Sequence, residues 1–501
     1  MKTNTLDFDA QALRDKILDL AMRGKLVPQD PNDEPASVLL EKIKAEKAEL
    51  VKEKKIKKSK PLPEITDDEK PFDIPDSWEW GRLGEVGNYI QRGRSPKYDK
   101  KNKSHPIISQ KCVQWENIYL KDAKYITKTF FDKLEDYRFV QENDVLWNST
   151  GTGTVGRLNI VKQNLDHIPV DSHVTLIRMN KQVNPDYIYY YLRSPEIQDN
   201  LNDYLTGTTK QKELGLTNIL KVKIPLPPLS EQSRIAAKIA QLFALLRKVE
   251  TSTQQYAKLQ TLLKSKVLDL AMRGKLVKQD PNDEPASVLL EKIKAEKAEI
   301  VKEKKIKKSK PLPPITDEEK PFDIPDSWEW VRLGNIVSYQ NGYAYKSSEL
   351  VKIRKGLPVI KSQNIMTLKV IIKDNNDYVK EPNEKMLNSK IIKGDLLMCL
   401  SSQSKNPEPL GKTAIYDLDK PALLNQRVLK LKLINHSMTD LIYYFINSSW
   451  FHFTVSHRGS GSGQSNLKLG DVMNMPIPVP PLNEEKHIVN RIEILFKKLS
   501  N

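Results

Sequence analysis

Ile74-Pro-Asp-Ser-Trp-Glu-Trp-Gly-Arg-Leu-Gly84 occurs a second time, with one change, as Ile324-Pro-Asp-Ser-Trp-Glu-Trp-Val-Arg-Leu-Gly334. The repeat extends upstream, so that residues 16–84 return at 266–334 with six differences. These are Ile17/Val267, Pro28/Lys278, Leu50/Ile300, Glu64/Pro314, Asp68/Glu318 and Gly81/Val331. Such long self-similarity is the signature of an internal duplication. The sequence therefore predicts two copies of one structural unit.

A second repeated motif marks the end of each copy. Ile-Pro-Leu-Pro-Pro-Leu-Ser-Glu-Gln at 224–232 corresponds to Ile-Pro-Val-Pro-Pro-Leu-Asn-Glu-Glu at 477–485. Between the shared borders, roughly 77–228 and 327–481, the residues differ strongly while the pattern of predicted elements stays similar. We expect two domains, called heads here, with a common frame and different surfaces.

The heads are predicted to be of the α+β class, a mixed fold in which short strands alternate with few helices. Residues 173–178 and 428–433 read as strands, and residues 143–146 and 394–397 as turns that enter strands. A Tyr-rich helix is predicted to begin near Pro185 and its counterpart near Thr439. At helical spacing, these tyrosines indicate core packing more than a platform for base stacking.

A coiled-coil seam follows each Pro-Pro-Leu motif. The central helix, about 43 residues and roughly 65 Å long, carries seam positions in steps of four and three: Ile235, Ile239, Leu242, Leu246, Val249, Thr253, Tyr256, Gln260, Leu263, Val267 and Leu270. The C-terminal helix repeats the first part of this seam, and the N-terminal helix repeats the second: Ile488, Ile492, Leu495 and Leu499, then Leu6, Leu13, Ile17 and Leu20. We predict that the two ends meet to build a second helix, antiparallel to the central one, with pseudo-twofold symmetry between the copies.

A Lys-rich amphipathic arm lies between helix and head in each copy, at 34–60 and 284–310. Its apolar side predicts a spacer helix packed on its own head, and its lysines equally favour a docking surface or a phosphate contact.

These observations predict seven segments along the chain. They are an N-terminal helix (1–26), arm copy 1 (27–76), the first head (77–228), a central spacer helix (229–274), arm copy 2 (275–326), the second head (327–481) and a C-terminal helix that packs with the N-terminal helix (482–501).

Composition limits the class of protein. The 81 basic and 64 acidic residues give a net charge of +17, which favours a polyanionic partner such as double-stranded DNA. No apolar run approaches the 18 or so residues of a membrane span, and the polar start lacks a secretory signal. Cys112 and Cys399 are isolated, so neither a disulfide nor a metal site is predicted. We expect a cytoplasmic protein with no membrane partner.

The sequence offers no clear catalytic motif. Gly151-Thr-Gly-Thr-Val-Gly156 matches the glycine pattern of a dinucleotide-binding loop, but an extended run follows it where a helix would be needed. Gly411-Lys412-Thr413 lacks the first glycine of a phosphate-binding loop, because Asn406 stands in its place. No methyl-transfer, zinc-protease or serine-hydrolase motif is present. We predict a chain without catalytic residues, bound metal or cofactor.

Several loops carry the side chains that read base edges and phosphates, with Arg suited to guanine and Gln or Asn to adenine. In the first head the candidates are Gln91, Arg92, Arg94, Lys97, Lys210, Gln211 and Lys212. In the second head they are Ser362, Gln363, Asn364, Gln403, Lys405, Asn406, Arg458 and Gln464.

The duplicated order of motifs resembles the specificity subunits of type I restriction-modification systems over essentially the whole chain. The resemblance rests on the Ile-Pro-x-Ser-Trp-x-Trp-x-x-Leu-Gly openings at 74–84 and 324–334 and the Pro-Pro-Leu-x-Glu closures at 227–231 and 480–484. It implies two target recognition domains, each of which reads one half of a split DNA site. It also implies two methylation subunits that use S-adenosylmethionine, and two motor-nuclease subunits that use ATP and Mg²⁺. No base contact transfers residue by residue.

Two other classes remain open on the residues alone. One is a helical scaffold that joins two protein-binding modules without DNA, and the other is a nuclease that acts alone, which the missing metal-carboxylate motif disfavours.

Overall fold

The chain forms two compact units, of which the first ends at Thr253 and the second begins at Gln254. This computed structural model describes residues 9–500 apart from 59, 164, 166, 208–211, 367–368, 402–409 and 459–465. None of the helices in these ranges combines the length and the apolar character needed to cross a bilayer.

The first unit contains ten strands and the helices that surround them in the described ranges. The helices are α1 (Ala10–Met22), α2 (Ala36–Lys52), α3 (Leu83–Val86), α4 (Lys128–Phe131), α5 (Pro185–Leu192), α6 (Pro195–Gln198), α7 (Leu216–Lys221) and the first part of α8 (Leu229–Met272). The strands are β1 (Glu79–Arg82), β2 (Gly87–Arg92), β3 (Pro106–Ile107), β4 (Lys124–Tyr125), β5 (Val145–Asn148), β6 (Leu158–Ile160), β7 (Val174–Met179), β8 (Leu205–Thr206), β9 (Glu213–Leu214) and β10 (Lys223–Leu226).

The second unit repeats this layout with more strands. Its helices are the end of α8, α9 (Ala286–Lys302), α10 (Leu333–Ile336), α11 (Glu384–Leu387), α12 (Thr439–Ile446), α13 (Ser449–Arg458), α14 (Leu469–Met473) and α15 (Leu482–Ser500). Its strands are β11 (Glu329–Arg332), β12 (Val337–Asn341), β13 (Leu357–Ile360), β14 (Ile365–Met366), β15 (Lys369–Val370), β16 (Tyr378–Val379), β17 (Lys390–Ile391), β18 (Leu396–Cys399), β19 (Thr413–Ile415), β20 (Ala422–Leu424), β21 (Val428–Leu433) and β22 (Pro476–Val479).

Both heads are built on an antiparallel four-stranded sheet with the same strand order. The order is β2-β7-β5-β6 in the first head and β12-β21-β18-β19 in the second. The strands predicted at 173–178 and 428–433 are β7, shifted by one residue, and β21. The common frame predicted from the sequence is therefore confirmed. The second head adds a sheet ordered β16-β13-β20-β17, in which β13 and β20 run parallel.

The predicted turns before β5 and β18 are also confirmed. Asn143 and Gly394 adopt left-handed backbone angles, with φ of 69° and 93°. The next residue in each copy forms an ion pair with a neighbouring strand: Asp144 with Arg178, and Asp395 with Lys430, both at 2.7 Å. The basic partner differs between the heads, Arg178 in one and Lys430 in the other, but the ion pair with an aspartate is present in both.

The Tyr-rich helix packs into the core, as predicted. Tyr187 and Tyr191 of α5 are fully buried, and their hydroxyls donate to the carbonyl oxygens of Pro225 and Lys223 at 2.5 and 2.6 Å. A buried hydroxyl without a partner would be destabilising, so these bonds fix α5 against β10. Tyr187 and Tyr191 are therefore not available for base stacking.

Each unit pairs a part of α8 with a second, antiparallel helix. In the first unit, Arg14 of α1 forms an ion pair with Glu250 of α8. In the second, Gln260 of α8 donates to the carbonyl of Leu499 in α15. Toward the other end of α15, Ile488 and Ile492 share a core with Leu268 and Met272 of α8. The antiparallel pairing of helices is confirmed within each unit.

The predicted seam is buried only near the ends of α8. Ile235 and Ile239 are fully buried among head residues, whereas Val249, Tyr256 and Leu263 are 45%, 56% and 43% exposed. Burial at the ends comes from insertion into the core of each head, and the middle of α8 has no such neighbour among the described residues. Among the described residues, the seam positions in the middle of α8 are therefore more exposed than those near its ends.

The N-terminal helix buries its predicted seam only in part: Ile17 and Leu20 are half-buried, and Ile17 packs against the core of the first head. Leu13 is 43% exposed, while Leu18, Ala21 and Met22 are buried. These three residues join the core of the first head, so α1 packs on the head as well as on α8. Leu6 lies outside the described residues.

Candidate nucleic-acid interface

The start and the end of each head lie side by side. β1 pairs antiparallel with β10, which places Trp80 opposite Pro225, and β11 pairs with β22, which places Trp330 opposite Pro478. The two sequence motifs that border each head therefore meet in one two-stranded sheet. We call this two-stranded sheet the neck of the head. The chain enters the head through the first strand of the neck and leaves it through the second.

Buried hydrogen bonds close the neck. The Glu231 carboxylate, 1% exposed, accepts from the Trp78 indole at 2.9 Å and from the Gln29 amide at 2.6 Å. Its counterpart Glu484 accepts from Trp328 and Gln279, both at 2.8 Å. Burial raises the pKa of both glutamates. Trp and Glu recur in the border motifs because they bond to each other.

The residue after each of these glutamates differs between the copies. Gln232 donates to the carbonyl of Pro227 at 2.9 Å and accepts from the Asn184 backbone N–H at 2.8 Å. Glu485, 2% exposed, has a carboxylate oxygen without a hydrogen-bond partner. Burial, and then the nearby Asp440 carboxylate, raise the pKa of Glu485 to about 7, against the weaker opposing effect of Lys486.

We expect Glu485→Gln to stabilise the chain at alkaline pH. The wild-type contribution of Glu485 is fully present below the unfolded pKa of about 4.5 and is lost as the pH rises through about 7. At pH 8 the variant should gain on the order of 3 kcal/mol, and at pH 4 almost nothing. Urea unfolding of the full chain at several pH values measures this. The mirror variant Gln232→Glu should lose stability as the pH rises, and equal effects at pH 4 and 8 would refute the assignment.

The Lys-rich arm packs on its own head in both copies. Lys47 of α2 donates to the carbonyls of Gly84, Glu85 and Gly87 at 2.8, 3.0 and 2.8 Å. Lys297 of α9 makes the equivalent contacts with the second head. Burial lowers the pKa of both ammonium groups. The structure thus supports the spacer interpretation for the helix, and the lysines that follow it are exposed.

Three candidates of the first head lie together. Gln91, Arg92 and Arg94 line one small recess with Tyr89 and Arg138. Gln91 is exposed at its rim. Arg92 donates to the Glu213 carboxylate at 3.3 Å and to the Leu214 carbonyl at 2.6 Å, so it ties β2 to β9. Gln91 and Arg94 are the more exposed candidates of this group.

Glu135 is the residue of this surface that the sequence did not reveal. Its carboxylate binds Arg94 at 2.9 Å and Arg138 at 2.8 Å. A hydrogen bond from its own backbone N–H, and then the Arg138 and Arg94 guanidiniums, lower the pKa of Glu135. It lies 41 residues from Arg94 in sequence, so no local motif connects them. Glu135 holds two cations of the candidate surface in place.

The other candidates of the first head are less constrained. Lys97 is exposed. Lys212 donates to the Asn202 side chain at 2.9 Å and directly precedes Glu213, the partner of Arg92. Lys210 and Gln211 lie outside the described residues.

In the second head, the three candidates of the loop at 362–364 differ in how exposed they are. Asn364 is fully buried, and its amide donates to the Ile371 carbonyl and the Asn376 side chain at 2.9 and 2.7 Å. It serves the fold and does not face a ligand. Ser362 is half-buried and Gln363 is exposed, which makes Gln363 the accessible member.

Two further loops of the second head fall mostly outside the described part of the chain. Gln403, Lys405, Asn406 and Gln464 are not described, and neither is the side chain of Arg458, the last residue of α13. Ser401 and Asn466, which border these loops, form a β-bridge.

The glycine-rich segment Gly151–Gly156 is a turn between β5 and β6, with Gly151, Gly153 and Gly156 at positive φ. No helix begins there to bind a phosphate, and the extended run predicted after the glycines is β6. Within the described ranges, no three His, Cys, Asp or Glu side chains form a group that could hold a metal ion.

Comparison with known proteins identifies the family. The profile described as "Type I restriction modification DNA specificity domain" matches residues 75–260 and 325–501. The chain is 34% identical to the type I restriction enzyme EcoAI specificity subunit of Escherichia coli, over 98% of this chain and 89% of that protein. It is 30% identical to the EcoEI specificity subunit of Escherichia coli over the same shares of both chains.

A solved structure shares the fold. It comes from work on complex assembly and conformational transition of the type I R-M system, and it matches 86% of this chain and 93% of its own, with a TM-score of 0.55 and 20% identity. The two matches to the family profile, one for each head, agree with the duplicated frame. The chain belongs to the DNA specificity subunits of type I restriction-modification systems, with two target recognition domains.

Proposed function

We propose that each head reads one half of an asymmetric bipartite DNA site, with residues 77–228 and 327–481 as the two target recognition domains. The observation that carries this proposal is that the four-stranded sheets of the two heads have the same strand order, while the loops between their strands differ in sequence. A common frame presents different side chains at equivalent places, so two different base sequences are read by two equivalent domains. Gln91, Arg94 and Lys97 in the first head and Gln363 in the second are the accessible candidates for contacts.

The remaining assignments follow from family membership. The helices 1–26, 229–274 and 482–501 set the gap between the half-sites and dock two methylation subunits, and two motor-nuclease subunits join them. Methyl transfer from S-adenosylmethionine and ATP- and Mg²⁺-dependent cleavage belong to those partners, and the complex acts in the cytoplasm. The exposed apolar residues in the middle of α8, such as Tyr256 and Leu262, support a partner surface there.

The test is an electrophoretic mobility shift of the chain assembled with its methylation subunits. We expect tight binding to one duplex sequence over others, and weakening as salt rises, because phosphate contacts release counterions. A helical scaffold that binds only proteins would show no sequence preference, and this outcome would refute the proposal.

A further inference from the structure

The turn after each arm helix is strongly positively charged and exposed. Residues 52–60 contain six lysines and one glutamate, a net charge of +5, and residues 302–310 repeat this sequence. All the lysines of both turns are exposed. Across the described residues, Lys55 and Lys305 form the ion pairs of these turns, with Glu53 and Glu303. By contrast, the ammonium groups of Lys47 and Lys297 donate hydrogen bonds to backbone carbonyls of the heads.

In the first unit, this turn forms one wall of a cleft whose other wall is the head. Lys54 and Lys57 line the cleft opposite Tyr89, Gln91 and Arg138, around a volume of about 660 Å³. Gln91 also lines the recess that holds Arg92 and Arg94. The basic turn is thus continuous with the candidate base-reading surface.

The backbone at the start of the turn is unfavourable for lysine. Lys54 and Lys304 have φ of 58° and 59°, the left-handed conformation that usually belongs to glycine after the end of a helix. The Lys54 and Lys55 N–H groups satisfy the last carbonyls of α2, at Val51 and Leu50. A lysine here costs stability relative to glycine, and it places one more cation at the cleft.

We propose that the arm turn is a sequence-independent phosphate clamp: Lys54 and Lys57, and Lys304 and Lys307 in the second copy, hold the DNA backbone beside the bases that each head reads. The inference rests on the proposed function and extends it. Near-identical arms serve two unlike heads, so they cannot read the different half-sites. A basic turn in which Lys54 and Lys57 have no ion pair among the described residues fits phosphate, the ligand that every DNA sequence offers.

The principal test compares Lys54→Gln/Lys57→Gln with Lys42→Gln/Lys44→Gln in the full chain assembled with its methylation subunits. The control removes the same charge from the same arm, where Lys42 pairs with Glu34 and Lys44 with Glu41, outside the cleft. Binding is measured on duplexes with and without the methylated motif, between about 50 and 200 mM salt. The cleft variant should bind both duplexes roughly tenfold more weakly, with a salt slope smaller by about 2, and the control should match wild type.

A second variant separates binding from folding. Lys54→Gly relieves the left-handed strain, so its melting temperature should equal or exceed that of wild type while its affinity for both duplexes falls several-fold. Unchanged affinity and salt slope in the cleft variants would overturn the inference. So would loss of subunit assembly with normal DNA binding, which would make the turn a protein-docking surface, or a changed methylation motif. If wild type itself shows no sequence preference, the proposed function fails and not merely the clamp.

Discussion

Exchanging residues 77–228 for the first head of another specificity subunit should change one half of the methylated sequence and leave the other half and the gap intact. The neck explains why the exchange is tolerated. β1 and β10 pair with each other, and Glu231 holds Trp78 at the same border, so a foreign head with the same motifs closes on itself. Sequencing of methylated adenines in cells that carry the chimera measures the outcome.

The reciprocal exchange of residues 327–481 is the matched control, because β11, β22 and the Trp328–Glu484 bond form an equivalent neck. It should change the other half-site. A chimera in which both halves change, or in which the motif stays as in wild type, would contradict independent reading by the two heads.

Inserting four residues between Thr251 and Gln255 should widen the gap between the half-sites by roughly one or two base pairs without changing the bases read. α8 is one helix from Leu229 to Met272, and the boundary between the units falls within this stretch. Four residues add about 6 Å to a helix, and B-DNA advances about 3.4 Å per base pair. The added residues also rotate the helix by about 40° beyond a full turn, so some loss of affinity is expected.

The methylated motif of the insertion variant decides this point. Replacing the polar residues 251–255 with alanines, at unchanged length, is the control and should keep the gap. An unchanged gap in the insertion variant would show that α8 does not set the spacing. Altered half-sites would show that reading and spacing are coupled.

The repeat and the period of the apolar residues predicted the frame because these signals are local. β21 and the helices that contain Tyr187 and Tyr443 were placed correctly, since alternation and helical spacing are visible in short segments. Along α8 the same local signal located the seam but did not predict how exposed each position is. A seam period cannot distinguish a buried residue such as Ile239 from one such as Tyr256, which is 56% exposed in the described chain.

The candidate surface was only partly predictable, for a related reason. Loop composition singled out Gln91, Arg92 and Arg94, which the fold brings together. It gave no sign that Asn364 would be buried in a hydrogen-bond network. Glu135 and the cleft beside Lys54 were missed, because both depend on contacts between distant parts of the chain.

The most direct test of the account is to map methylated adenines in DNA from cells with this chain and its partner subunits, and from cells that lack this chain alone. We expect a single asymmetric motif of two defined half-sites separated by a fixed gap, which disappears when the chain is absent. A methylation pattern that persists without the chain, or that shows one undivided motif, would contradict the reading of DNA by two separate heads.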